Sequence, residues 1–119
     1  MAKLLVYEYP QCGTCRKAKR FLDERGIDYE TRHIVNDPPS KEELKELVQK
    51  SGLEIKKFFN TSGKVYREQR LKDKIPTLSE DELLSLLASE GKLIKRPIVT
   101  DGTKVTVGFK PEEFEHFWT

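Results

Sequence analysis

The first third of the chain combines a strand-like pattern with a helix-like pattern of apolar positions. Residues 3–8 carry a short apolar run typical of a strand, and residues 13–25 have the helical period. Gly26 suits the left-handed position that follows a helix end. Residues 28–34 alternate and predict a second strand, so this segment is interpreted as a β-α-β unit with a parallel strand pair.

The middle of the chain is dominated by the helical period. Capping boxes begin at Ser40 and Ser79, and each precedes a leucine-rich helical pattern. We expect Gly91 to terminate the second of these helices. Shorter helical segments are predicted over residues 53–59 and 66–74, which makes the whole stretch helical.

The last third returns to strands. Ile98-Val99-Thr100 and Lys104-Val105-Thr106-Val107 flank Asp101-Gly102, a dipeptide typical of a hairpin turn. A final helix is predicted to begin at Lys110-Pro111, because proline is well tolerated in the first helical turn.

The predicted order is therefore β-α-β, a helical stretch, and β-β-α. The two outer parts can share one four-stranded mixed sheet, which is the arrangement of a thioredoxin-like fold. We predict a single α/β domain over residues 1–119, with an all-helical insertion over about 38–94.

Composition excludes several classes of protein. The 119 residues are 36% hydrophobic and 35% charged, with a formal net charge of +2. This balance is typical of a globular chain and gives no reason to expect direct nucleic-acid or membrane binding. No apolar run has the length of a membrane span, and the N-terminus lacks the pattern of a signal peptide. We therefore expect a cytoplasmic protein, and a monomer.

The candidate chemistry lies in the two cysteines. Cys12 and Cys15 have C-x-x-C spacing at a predicted helix start, where free N–H groups and the helix dipole stabilise a thiolate. The small residues Gly13 and Thr14 would leave Cys12 open to a partner. Cys12 is the expected nucleophile and Cys15 the expected resolving thiol. Two alternatives are a pair of structural buried thiols and half of a zinc site, for which His33 and His116 are the histidine candidates.

Three blocks of the sequence resemble the arsenate reductase-like (ArsC/Spx) family of the thioredoxin superfamily, and the likeness is greatest to its arsenate reductase-related and Spx/MgsR-like bacterial proteins. The blocks are Tyr9-Pro10-Gln11-Cys12-Gly13-Thr14-Cys15-Arg16-Lys17-Ala18, Phe58-Phe59-Asn60-Thr61-Ser62-Gly63-Lys64-Val65-Tyr66-Arg67 and Leu93-Ile94-Lys95-Arg96-Pro97-Ile98. The resemblance implies a thioredoxin-like fold with a helical insertion, in agreement with the predicted element order.

The resemblance also implies roles for residues outside the C-x-x-C motif. Pro97 would be a cis-proline facing Cys12, and Arg96 would direct its guanidinium at the thiolate or at a bound anion. The residues themselves indicate a further element of the site: Asn60, Thr61, Ser62 and Lys64 form a polar loop that would close over the cysteines and bind an anion or a peptide. The alternative is a solvated turn between helices. No metal ligand set and no organic cofactor are expected.

Two functions from different classes follow. The first is a thiol–disulfide oxidoreductase that thioredoxin, glutaredoxin or a small thiol would reduce again; arsenate reduction is a narrower form of it. Arsenate reductases of the family use three arginines to hold the oxyanion, and Arg96 matches one of them. The position of an earlier arginine falls near Asn60, and the third should follow Arg96, where this sequence contains no arginine. The second is an Spx-type redox regulator that binds RNA polymerase.

Overall fold

The computed structural model describes residues 3–119, so the first two residues of the predicted domain lie outside the described residues. The chain forms two compact units. The first comprises the chain up to His33 together with Arg96–Thr119, and the second comprises Ile34–Lys95. The organisation as a single domain stays a prediction.

The first unit contains a four-stranded sheet. Its strands are β1 (Leu4–Glu8), β2 (Tyr29–His33), β3 (Ile98–Thr100) and β4 (Val105–Val107), in the order β2-β1-β3-β4. β1 runs parallel to β2 and antiparallel to β3, and β4 is antiparallel to β3. The predicted four-stranded mixed sheet of a thioredoxin-like fold is confirmed.

Residues 3–119 contain six α-helices. Helices α1 to α6 span, in order, Gly13–Glu24, Lys41–Ser51, Lys64–Glu68, Leu71–Lys74, Glu80–Ser89 and Pro111–Trp118. None of the helices formed by residues 3–119 has the length and apolar character that crossing a bilayer requires.

The core of the first unit joins β1 and β3 to α1 and α6. Its buried side chains are Leu4, Val6, Ala18, Phe21, Leu22, Val99, Phe114 and Trp118. Leu4 and Val6 lie on the face of β1 that packs against α1, since side chains two apart in a strand share a face. This packing fixes α1 against the sheet, and with it the turn from Glu8 to Gly13.

The turns of the first unit follow the predicted chemistry. Gly26 has φ 65° directly after the last turn of α1, which confirms its expected position. In the hairpin, Gly102 has φ 95°, and Asp101 Oδ1 accepts hydrogen bonds from the N–H groups of Thr103 and Lys104 at 2.9 and 2.8 Å. The strand after the turn begins at Val105, one residue later than expected.

Both predicted capping boxes are present in the second unit. The Ser40 and Ser79 side chains each accept a hydrogen bond from the backbone of the third helical residue, and that residue's carboxylate bonds back. The helices α2 and α5 pack together, and a 2.7 Å ion pair joins Lys41 to Asp81 across them. An isolated antiparallel bridge between Phe59 and Ile94 adds one strand-like contact to this otherwise helical unit.

Of the two shorter helical predictions, one agrees with the structure and one needs correction. Residues 53–59 contain the predicted short helix, which is a 3₁₀ helix over Ile55–Phe58. Residues 66–74 are divided between α3 and α4, because Arg70 has φ 53° and interrupts the helical backbone. The pattern of apolar positions does not predict this break, because residues other than glycine rarely adopt a left-handed backbone.

Gly91 lies just past the end of a helix, as expected, but it lacks the left-handed backbone of Gly26. Helix α5 ends at Ser89, and Gly91 begins a separate 3₁₀ turn over Gly91–Leu93. A Cβ atom at Gly91 would lie 2.1 Å from the carbonyl oxygen of Ile34. This glycine is therefore required by close approach of two backbone segments within the second unit.

We expect Gly91→Ala to destabilise the protein by at least about 2 kcal/mol, because overpacking against backbone cannot be relieved by a rotamer change. Urea unfolding measures the change. Gly13→Ala is the control, since a Cβ at Gly13 meets no atom within 4 Å. A stability of Gly91→Ala equal to that of Gly13→Ala would contradict this explanation.

Candidate active site

Cys12 lies at the junction between β1 and α1. It is the N-cap residue of α1, with an extended backbone at φ −85° and ψ 120°. Its N–H donates to the carbonyl of Tyr9 at 2.9 Å, and its own carbonyl accepts from Arg16 N–H at 3.2 Å. The side chain is half-buried. The turn therefore fixes the Cys12 backbone and leaves part of the thiol exposed.

The surroundings of Cys12 favour its thiolate. Burial alone would raise the pKa of this thiol, but hydrogen bonds from Cys15, Arg96 and Thr14 outweigh it and lower the pKa from the usual cysteine range. The Cys12 side chain does not complete a capping bond of standard geometry. The N–H groups of Cys15 and Thr14 nevertheless act on it, as expected of the open amides at a helix start.

Cys15 has the opposite character. It is fully buried in the first turn of α1. The pKa of its thiol is raised to about 12, and burial is the largest cause. The hydrogen bond and negative charge of Cys12 and the charge of Glu8 raise this pKa further, whereas a hydrogen bond from the Tyr9 N–H lowers it. Both cysteines are free thiols. One helical turn thus holds one thiol suited to ionise and one suited to stay protonated.

Arg96 and Pro97 bring the start of β3 to the same site. The peptide bond between them is cis, as the resemblance implies. Pro97 is buried, and its carbonyl accepts a hydrogen bond from Gly108 N–H at 2.8 Å. The half-buried Arg96 donates to the Cys12 sulfur, which helps to lower the pKa of that thiol. The structure therefore brings Arg96 together with the C-x-x-C motif.

Tyr9 and Glu8 are two further residues of the site to which the sequence assigned no role. The Arg96 guanidinium lies 5.3 Å from the centre of the Tyr9 ring, and His33 makes an edge contact with the same ring at 5.6 Å. Glu8 is only 5% exposed. The alternation of Leu4, Val6 and Glu8 places this carboxylate on the helix-facing side of β1, a signal that the sequence contained.

The remaining predicted site residues lie partly in the first unit and partly in the second. Gly13 and Thr14 are exposed beside Cys12. Asn60, Thr61 and Ser62 belong to the second unit, where Asn60 N–H donates to the Leu93 carbonyl at 2.7 Å and Ser62 Oγ lies 3.3 Å from Asn60 Oδ1. This loop is ordered by its own hydrogen bonds.

A cavity lies elsewhere in the first unit. It has a volume of about 840 Å³ and is lined in part by Arg25, Lys104 and Trp118 and by neither cysteine. Within residues 3–119, no three side chains of His, Cys, Asp or Glu are grouped so that they could hold a metal ion. The groups that the structure brings to Cys12 are Cys15, Arg96 and the backbone amide of Thr14.

Comparison with known proteins agrees with this geometry. The ArsC family model matches residues 7–117. The uncharacterized protein YusI of Bacillus subtilis strain 168 is 63% identical over 115 residues, covering 97% of this chain and 98% of that protein. The regulatory protein MgsR of the same strain is 32% identical over 111 residues, covering 93% and 86%.

Two solved structures have the same fold. The crystal structure of an ArsC family related protein from Bacteroides fragilis has a TM-score of 0.93 and 54% identity, covering 96% of each chain. An arsenate reductase from Vibrio cholerae has a TM-score of 0.85 and 32% identity, covering 97% of each chain. The likeness to both extends over nearly the whole length.

We predict that Cys12 is alkylated at neutral pH and that Cys15 is not. In the Cys15→Ser variant, the titration of iodoacetamide reactivity should have its midpoint below the value of about 8.5 for a free cysteine. In Cys12→Ser, burial should keep Cys15 unmodified at neutral pH. Equal rates in the two variants, or faster modification of Cys15, would reverse the assignment.

We predict that Arg96→Lys raises the pKa of Cys12 and slows its alkylation at neutral pH about tenfold. A charge-assisted hydrogen bond contributes about 1.5–3 kcal/mol, and partial exposure of Arg96 reduces this contribution. A lysine supplies a point charge without the planar fork. Arg16→Lys, at an exposed position of α1, is the control, and thermal melts check folding. Unchanged Cys12 titration in Arg96→Lys would remove Arg96 from the site.

Proposed function

The chain belongs to the ArsC family, and within this family we propose that it is a thiol–disulfide oxidoreductase whose working groups are Cys12 and Cys15. One observation carries the proposal: the two thiols share one helical turn but have opposite pKa shifts, lowered for half-buried Cys12 and raised for buried Cys15. A redox dithiol needs a nucleophilic thiol that attacks the substrate and a resolving thiol that later attacks the mixed disulfide.

The proposed reaction has two steps. The Cys12 thiolate attacks one sulfur of a substrate disulfide, a Cys12–substrate disulfide forms, and the other substrate sulfur leaves as a thiolate. Cys15 then attacks Cys12 Sγ, the Cys12–Cys15 bond forms, and the second substrate thiolate departs. The substrate gains two electrons, which the enzyme dithiol loses.

The other predicted residues receive roles in binding and orientation. We assign to Arg96 the stabilisation of the Cys12 thiolate, which its hydrogen bond supports. Pro97, Gly13 and Thr14 would contact the substrate beside Cys12. The loop of Asn60, Thr61 and Ser62 stays in the proposal as a second substrate-binding element, because its polar side chains suit an anion or a peptide.

The cycle needs an external electron donor. Thioredoxin, glutaredoxin or a small thiol would reduce the Cys12–Cys15 disulfide, and the reaction requires no metal or organic cofactor. A dithiol that must return to the reduced form between turnovers suits the cytoplasm, where such reductants are maintained.

A redox regulator is the second candidate, because a relative named as a regulatory protein matches 93% of this chain. In that case the same disulfide would report oxidation, and its formation would alter binding to a protein such as RNA polymerase. Arsenate reduction is the narrower enzymatic candidate, supported by the Vibrio cholerae structure. Arg96 would there supply one of the three arginines that arsenate reductases of the family use.

We predict turnover in a coupled assay with thioredoxin, its reductase and a model disulfide, measured as NADPH consumption. Cys12→Ser should abolish turnover, because no mixed disulfide can form. Cys15→Ser should form the mixed disulfide once and then stop, which intact mass will show. Mild oxidation of the wild type should give mainly a Cys12–Cys15 disulfide, since C-x-x-C spacing allows this bond on one turn.

Separate arms of the experiment distinguish the candidates. Arsenate replaces the disulfide in one arm, and turnover there alone would identify an arsenate reductase. Capture of purified RNA polymerase by only the oxidised or only the reduced protein, without turnover on any substrate, would favour the regulator. A disulfide-linked dimer as the main oxidation product would refute the two-thiol mechanism.

A further inference from the structure

Arg96 reaches Cys12 through a long side chain that the backbone alone does not fix. A hydrogen bond from Gly108 N–H to the Pro97 carbonyl, at 2.8 Å, holds the main chain next to Arg96. The guanidinium lies beyond several rotatable bonds, so ordering it costs conformational entropy. A contact that orders this side chain is therefore needed if Arg96 is to stay in place beside the Cys12 sulfur.

The Tyr9 ring supplies such a contact. The Cζ atom of Arg96 lies over this ring, 5.3 Å from its centre. This distance is within the range of about 6 Å in which the face of an aromatic ring attracts a cation. Both side chains are half-buried. Partial exclusion of water strengthens the attraction relative to a fully exposed pair, so the ring favours one position of the guanidinium.

The Tyr9 ring is itself held by contacts that do not involve Arg96. The Tyr9 hydroxyl donates to Gln11 Oε1 at 3.1 Å. The His33 ring of β2 lies 5.6 Å from the Tyr9 ring, and the two ring planes are at 90°. The Tyr9 carbonyl accepts a hydrogen bond from Cys12 N–H at 2.9 Å. One residue thus joins the turn that carries Cys12 to the side chain that arrives from the segment before β3.

We propose that Tyr9 is a positioning residue of the thiol reaction: its ring holds the Arg96 guanidinium in the position from which it donates to Cys12 Sγ. This inference rests on the proposed oxidoreductase function. In this role Tyr9 exchanges no proton and forms no bond to the substrate. Its effect is that Arg96 is in place before the Cys12 thiolate attacks, so the side chain need not reorganise at that moment.

Substitution can separate the contact with Arg96 from the other contacts of Tyr9. Tyr9→Phe keeps the ring over Arg96 and its packing on His33 but loses the hydrogen bond to Gln11. Tyr9→Leu keeps an apolar side chain and removes the ring. Neither change removes the main-chain hydrogen bond to Cys12. A role that depends on the ring therefore predicts different results for the two variants.

The measurement is the rate of iodoacetamide alkylation of Cys12 as a function of pH, in a Cys15→Ser background and read by intact mass. We expect Tyr9→Leu to move the midpoint of this profile to higher pH and to slow alkylation at neutral pH about three- to fivefold, through loss of the cation–π contact. Tyr9→Phe should stay within about twofold of the parent, because a phenyl ring also attracts a cation. Tyr66→Leu, the same change at a half-buried position of α3, should leave the profile unchanged.

A second comparison tests whether Tyr9 acts through Arg96. In an Arg96→Met background there is no guanidinium to hold, so Tyr9→Leu should cause no further slowing of Cys12 alkylation. A purely structural role of Tyr9 would slow alkylation by the same factor with and without the guanidinium. Thermal melts check the folding of each variant, and Tyr9→Met replaces Tyr9→Leu in both comparisons if Tyr9→Leu folds poorly.

Three results would overturn the proposal. They are an unchanged Cys12 profile in Tyr9→Leu, equal slowing in Tyr9→Phe and Tyr9→Leu, and equal slowing by Tyr9→Leu with and without Arg96. Alkylation requires neither a disulfide substrate nor turnover. A Tyr9 effect that depends on Arg96, in a protein that fails to turn over in the coupled assay, would therefore refute the oxidoreductase function and support the positioning of Arg96.

Discussion

The packing of α1 on β1 is the interaction on which the rest of the site depends. Leu4 and Val6 hold Ala18 and Leu22 against the sheet, and this contact fixes where α1 can begin. Cys12 then becomes the N-cap residue, half-buried, while Cys15 enters the core. The same apolar contact thus leaves one thiol partly exposed and removes the other from water. Burial raises the pKa of Cys15, while hydrogen bonds from Cys15, Arg96 and Thr14 lower the pKa of Cys12.

Residues distant in the sequence complete the electrostatics of this turn. Arg96 arrives at Cys12 because β3 pairs antiparallel with β1 and begins next to the cis Arg96–Pro97 bond. Its guanidinium also lies over the Tyr9 ring, which the β1–α1 turn carries. Glu8, whose side chain is buried, forms an ion pair with Lys19 between the end of β1 and α1. A proposed redox function therefore draws on the sheet as well as on the motif.

The helical unit shows a different balance between local and tertiary forces. Capping boxes at Ser40 and Ser79 start α2 and α5 where local hydrogen bonding alone would place them. Gly91 follows the end of α5, and the absence of a side chain there also lets the backbone approach the Ile34 carbonyl. Arg70 has a left-handed backbone that separates α3 from α4, and no residue type in this segment predicts it. Local signals thus located the long helices and failed where distant backbone segments meet.

Apolar periodicity, capping residues and residue spacing are local properties, so they suffice to predict the element order, the sheet composition, the C-x-x-C motif and the starts of α1, α2, α5 and α6. Resemblance to a known family adds Arg96 and the cis bond at Pro97. Three features are visible only in the folded protein: the contact of Arg96 with Tyr9, the burial of Glu8 beside Lys19 and the extent to which Cys15 is desolvated. Those features depend on how β1, α1 and β3 pack, and electrostatic interactions between side chains vary with distance and burial, which a linear pattern of residues does not contain.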